Sequence, residues 1–302
     1  GIQIRNAEGE VDLRPRSLTV RADASLAEDA PIEMVWRQNF FKEDGPSDIA
    51  ISGVFNSSAG DVFGISSRQF LRGPVRFDAK AVGDLGDFQS LDLKADFAEA
   101  VVTVGPLGWR KPKGMAATGD LSMVFKEDGV MIDALSVSGD GVEISGALSF
   151  NRDGALQDAD LSRVYISDSA DFAMTASRDA NGALDLTAVG PFLNAGPMVT
   201  QILEGAGEDE EEGSLNWGPG VSLQARIDEI ALRNGVVYRD GALDFNRNAA
   251  RLQALDFSAF GGDGDPLRVT MALTGASEGP ERALEARTGA IGELMRGVFG
   301  ID

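Results

Sequence analysis

Val75-Arg76-Phe77-Asp78-Ala79-Lys80-Ala81 and Leu91-Asp92-Leu93-Lys94-Ala95-Asp96-Phe97 alternate apolar and charged side chains without interruption. Successive side chains of a β-strand point to opposite faces, so each stretch builds one oily face and one wet face. The same period returns in Val142, Ile144, Leu148 and Phe150, set among Glu143, Ser145 and Ser149, and again in Leu267, Val269, Met271 and Leu273. A mostly β chain with very little helix is the expectation. What covers its oily face is the functional question.

Asp44-Gly45, Asp128-Gly129, Asp140-Gly141, Asp153-Gly154, Asn181-Gly182, Asn234-Gly235 and Asp240-Gly241 punctuate the alternation. Asp and Asn tolerate positive φ and Gly has no Cβ to clear, so such pairs suit tight hairpins. Between residues 128 and 154 the turns recur after 12 and then 13 residues, one strand plus a turn. This is the rhythm of an antiparallel meander, and roughly eighteen strand-like segments are counted in all. Two segments read as helix. Pro191 to Gly205 places Phe192, Leu193, Met198, Val199, Ile202 and Leu203 on one side, and Glu285 to Gly300 does the same with Ile291, Leu294, Met295, Val298 and Phe299. A weaker helical signal covers Asp61–Ser67. The acidic block Glu208-Asp209-Glu210-Glu211-Glu212 repels itself and stays solvated. It divides the chain into a β segment over 1–205, a linker over 206–213 and a second β segment over 214–302.

Composition narrows the function. The 302 residues are 43% hydrophobic, enough for a substantial core. With 48 acidic and 27 basic residues the net charge is −21, which repels nucleic acid. Cysteine and histidine are both absent. Disulfides, thiolate sites, Ser-His-Asp or Cys-His catalysis and the common zinc sites are thereby excluded within the chain. The chain opens on Gly1 and carries no apolar run near the ~20 residues of a membrane span. It reads as a piece of something longer, with any anchor lying elsewhere.

A one-sided sheet must hide its apolar face. Two short helices cannot cover so many strands, which leaves a sandwich, a filled barrel, or an open trough covered by an apolar ligand. The inward positions are mainly Leu, Val, Ile, Ala and Met, a lining that suits acyl chains and suits a plain core equally.

Gly105-Pro106-Leu107-Gly108-Trp109-Arg110-Lys111-Pro112-Lys113-Gly114 resembles a loop of the AsmA-like envelope proteins, in particular their YhdP-type branch. The strand pair Gly139 to Phe150, the stretch Gly190-Pro191-Phe192-Leu193-Asn194-Ala195-Gly196-Pro197-Met198 and the terminal Thr288 to Gly300 are similar to that family's later segments. Where the family opens its closing helix on Asp-Ala-Gly, this chain has Thr288-Gly289-Ala290. The resemblance covers about residues 70–302. It implies a long, curled, taco-shaped antiparallel sheet that carries phospholipid through the periplasm of a Gram-negative bacterium, between inner and outer membranes. The parent chain would be anchored in the inner membrane by a helix absent here.

On that reading, acyl chains lie against Val75, Phe77, Leu91, Leu93, Phe97, Leu121, Met123, Phe125, Val142, Ile144, Leu148, Phe150, Leu184 and Leu186. Trp109, Arg110, Lys111 and Lys113 form the densest basic spot and are candidates for headgroup or rim contact; packing of a rigid, Pro-framed loop is the competing account. The helix at 191–205 gates the groove or simply packs on the sheet, and the helix at 285–300 contacts a partner or caps the last strands. Gly261-Gly262-Asp263-Gly264-Asp265 lacks the spacing and closing Glu of an EF-hand and reads as a turn. No catalytic residue, metal or cofactor is expected. The alternative function is a structural or adhesive periplasmic β-sandwich with a sealed core. A glycosidase built on a pair such as Asp158 and Asp160 would need aromatic platforms that two Tyr and three Trp scarcely supply.

Overall fold

A computed structural model describes residues 4–26, 30–40, 47–55, 70–84, 87–204, 220–248, 252–276 and 279–301. The Asp44-Gly45 turn, the weak helical stretch Asp61–Ser67 and the linker 206–213 lie outside them. Seventeen strands belong to one sheet, which does not close into a barrel, and three short strands form a second, small sheet. The chain separates into two compact units, residues 1–104 with 110–155, and residues 105–109 with 156–302.

The first unit holds β1 (Ile4–Arg14), β2 (Ser17–Leu26), β3 (Pro31–Asn39), β4 (Ser47–Phe55), β5 (Leu71–Arg72), β6 (Val75–Asp84), β7 (Asp87–Asp96), β8 (Val101–Val104), β9 (Trp109–Lys111), β10 (Ala117–Lys126), β11 (Gly129–Gly139) and β12 (Val142–Asn151). Nine of these pair in the order β1-β2-β3-β4-β6-β7-β10-β11-β12, each antiparallel to its neighbour. The short strands β5, β8 and β9 form the small sheet. It sits over one corner of the large one, where Leu71, Ala100 and Val102 pack with Val75, Ala95, Phe55 and Phe97.

The second unit holds β13 (Leu156–Ile166), β14 (Ala170–Arg178), β15 (Leu184–Asn194), α1 (Gly196–Glu204), β16 (Gly220–Ala231), β17 (Val237–Asn248), β18 (Leu252–Phe260), β19 (Pro266–Ala276), β20 (Gly279–Thr288) and the short helix α2 (Ile291–Leu294), which runs into a π-turn at Met295–Phe299. Its strands pair in chain order.

Three expectations are corrected here. The sheet is not antiparallel throughout, because β15 and β16 run parallel, Leu186 facing Leu223 and Ala188 facing Ala225. A parallel pair needs a crossover, and the chain between Asn194 and Gly220 supplies it, with α1 inside. The helix expected from Pro191 starts only at Gly196. Phe192 is held in the ladder on both sides, by Asp171 of β14 and Glu229 of β16. Pro191 is tolerated because β15 bulges there, where no ladder N–H is required. Asn194 then accepts a hydrogen bond from the Gly196 N–H at 3.1 Å and opens the helix. Likewise, Glu285 to Thr288 continue β20 along β19, and helix begins only at Ile291.

Asp240-Gly241 makes no hairpin. It sits inside β17 as a bulge, Asp240 at φ 51°, where pairing with β18 skips from Arg239 to Ala242. A Cβ on Gly241 would lie 2.2 Å from Cδ1 of Ile230, so the missing side chain makes room for the neighbouring strand. The hairpins at Asp128-Gly129, Asp140-Gly141 and Asn181-Gly182 form as read.

Candidate functional site

Register turns local alternation into continuous rows. In the first unit one row runs Val11, Val20, Trp36, Ile49, Ala81, Leu91, Met123, Ile132, Leu148, one residue from each of the nine strands. The next runs through Ile51, Ala79, Leu93, Leu121 and Leu135. In the second unit the row Leu161, Met174, Ala188, Ala225, Leu243, Phe257, Val269, Ala286 crosses all eight strands. Along these rows every strand pair sets apolar against apolar, so each unit presents a hydrocarbon face.

The opposite face is wet. Ser122 donates to Asp92 at 2.6 Å, Lys94 lies 3.6 Å from Asp120, and Arg268 forks onto Asp256 at 2.7 and 3.1 Å. These pairs are solvent-exposed and contribute little to stability.

All fourteen expected lining residues lie on the apolar faces, twelve in the first unit, with Leu184 and Leu186 in the second. Their surroundings differ. Val75, Phe77, Val142, Leu184 and Leu186 are buried. Leu91, Leu93, Phe97, Leu121, Met123, Phe125, Ile144, Leu148 and Phe150 are half-buried. Leu91 and Leu93 pack against the cluster that holds Ile32, Phe77 and Ala79, the last two on the adjacent strand β6. The lining list omits β2 to β4 and β16 to β19, whose alternation is equally plain. An open depression of about 360 Å³ on the second unit is lined by Ser222, Gln224, Asp244, Asn246, Asp256 and Thr270 of the polar rows together with Leu223, Phe245, Leu255 and Met271.

The basic loop is divided rather than gathered. Lys111 is 1% exposed, and its ammonium donates to the carbonyls of Ala100 at 2.8 Å, Pro112 at 3.2 Å and Ala98 at 3.5 Å. Burial pushes its pKa down, against the pull of Asp96 and Glu99. It ties the loop to the strand end and offers no charge to a ligand. Lys113 pairs with Glu99 at 3.0 Å; Arg110 is exposed and Trp109 half-buried. Leu107 is buried, and Gly108, at φ 61°, lies so close to α1 that a Cβ would sit 2.6 Å from Cγ of Pro197.

The closing helix caps. Leu294 and Val298 cover Val236, Tyr238, Ala259 and Leu267 at one end of the second unit. Residues Gly261 to Asp265 form the expected turn, Gly261 N–H donating to the Asp265 carbonyl at 2.8 Å, and no carboxylate cluster able to hold a metal occurs among the described residues. Asp158 and Asp160 stand exposed beside Ser177 and Thr175. Compared with protein-family models, curated proteins and solved structures, the chain finds no match.

Proposed function

We propose that the apolar faces bind the acyl chains of phospholipids, and that this chain is part of a bridge-like lipid transfer protein of the bacterial envelope. The observation that carries the reading is the bare middle of the wall. Across β7, β10, β11 and β12, apolar side chains line up in rows in which Leu91, Leu93, Leu121, Met123, Ile144, Leu148 and Phe150 each keep part of their surface uncovered. The remaining elements among the described residues cover ends and corners. A contiguous apolar surface of this kind marks an interaction site. Each Å² it removes from water on meeting an acyl chain contributes roughly 25 cal/mol.

Curling of the sheet into a groove fits the bulges that interrupt the ladders at Ser122/Met123, Ile132/Leu135 and Leu161/Val164, since each bulge bends and twists its strand. The wall is aliphatic, so hydrocarbon is held without choosing a headgroup, and the lipid slides. Headgroups stay in water at the rim, beside Arg110 and Trp109. No helix among the described residues is long and apolar enough to cross a membrane. Contact with the inner and outer membranes, and periplasmic location, belong to the proposal through segments outside these residues.

Mass spectrometry of the purified chain tests the reading. Phospholipid carried through purification, and exchanged for added lipid, is the expected result. A chain that emerges free of lipid and stays lipid-free when offered phospholipid vesicles sinks it, and favours the sealed structural module.

A further inference from the structure

The nine-residue row from Val11 to Leu148 holds one side chain with an N–H or O–H, Trp36. Its indole Nε1 is shut away from water and has no hydrogen-bond acceptor among the described residues. A buried, unmatched donor destabilises a fold, and a phenyl or leucyl side chain would fill the same face without that cost. The neighbouring positions on this face are polar as well. Gln38 lies two residues along β3, and its side-chain carbonyl accepts a hydrogen bond from the hydroxyl of Ser47, which opens β4 and is 1% exposed. Trp36, Gln38 and Ser47 thus mark a polar spot where the hydrocarbon wall ends. Across the wall from it, Ile49, Ala81 and Leu91 continue the row with nothing to accept or donate.

We infer that Trp36 is a specificity-determining residue that donates its indole N–H to the ester carbonyl of a bound acyl lipid, fixing the depth at which the chain lies on the wall. This rests on the lipid reading above. The ester carbonyl is the acceptor that travels with hydrocarbon, because phosphate and headgroup remain hydrated. It lies at the junction of oily and wet parts of the lipid, as Trp36 lies at the junction of wall and polar spot. Rotation about the Cβ–Cγ bond, a broad torsion for Trp, turns the N–H toward the open face.

The test offers the full chain an equimolar mixture of dipalmitoyl phosphatidylethanolamine and its dihexadecyl ether analogue, and reads the bound ratio by native mass spectrometry. The two lipids share headgroup and chains and differ in the ester carbonyl. The unaltered chain is expected to favour the ester about 2- to 10-fold, the worth of one hydrogen bond. Trp36→Phe should bring the ratio to one while total bound lipid is kept, and Tyr165→Phe, beside Asp171 on the polar face of the second unit, should leave the preference intact. A ratio of one in the unaltered chain, or a preference that survives Trp36→Phe, overturns the role of Trp36 and leaves the lipid wall standing. Binding of neither lipid overturns both.

Discussion

The bare stretch of wall and the covered ends carry the same kind of sequence and meet different fates. Leu91, Leu93 and Leu121 alternate with polar residues just as Val75 and Leu267 do, and Met123 continues the face of Leu121. Leu91, Leu93, Leu121 and Met123 are half-buried. Val75 lies fully buried where the small sheet sits, and Val236 and Leu267 lie buried beneath the closing helix. Alternation therefore says which face is oily, and the connections between strands say where that face is sealed. In each unit the seal is made by an insertion or a terminal element. In the first it comes from β5, β8 and β9; in the second, from α2 and its π-turn. Stability is concentrated under the covers, and the proposed binding surface lies in the gap.

The largest test of this contrast places one charge in each region. Leu267→Asp buries an unpaired carboxylate under the helix and should cost upward of about 4 kcal/mol, unfolding the second unit. Leu93→Asp should cost less, about 1–2 kcal/mol, since Leu93 keeps part of its surface uncovered where Leu267 is buried, while eliminating bound lipid. Urea unfolding followed by circular dichroism reads both. Equal costs would mean that the wall is close-packed and the contrast false.

A smaller effect sharpens the account of the covered corner. Lys111→Met keeps the stem but removes the ammonium from the carbonyls of Ala98, Ala100 and Pro112. About 1–3 kcal/mol of stability should be lost, with lipid retention unchanged. Weaker lipid retention at unchanged stability would return Lys111 to the rim, as a headgroup contact.

The smallest concerns the capped end of the second unit. The hydroxyl of Tyr238 is buried with no partner among the described residues, and burial, aided by Glu293, raises its pKa. A phenol raised in the folded state contributes stability that is whole below the ordinary tyrosine value and is lost as pH climbs through the raised one. Tyr238→Phe should be neutral or slightly stabilising at pH 7 and should flatten the alkaline loss of stability measured by thermal melts. A clear destabilisation at pH 7 would show that the hydroxyl has a partner after all.

Much of this was legible beforehand because its cause is local. Strand identity, the oily and wet faces, and most hairpins follow from side chains that alternate at every residue and from Asp-Gly or Asn-Gly pairs that accept positive φ. That the fourteen proposed lining residues fall on the apolar faces follows from the same alternation. Where reading failed, a distant neighbour decided. Phe192 and Leu193 have helical spacing, yet β14 and β16 flank them and hold them extended. Asp240-Gly241 has the letters of a hairpin turn and is a bulge, because Ile230 packs where a side chain would have been. Lys111 looked like part of a cationic patch and is consumed by three carbonyls that the loop folds around it.

The sequence by itself determined a β protein with one hydrocarbon face, since the two-residue period of an extended backbone needs no partner to sort side chains. Tertiary structure alone decided the parallel pairing of β15 with β16, the fate of Lys111 and Trp36, and above all which parts of the face are covered. Those outcomes depend on which strands and loops meet across long stretches of chain, and such meetings are set by the whole network of ladders, not by any one segment.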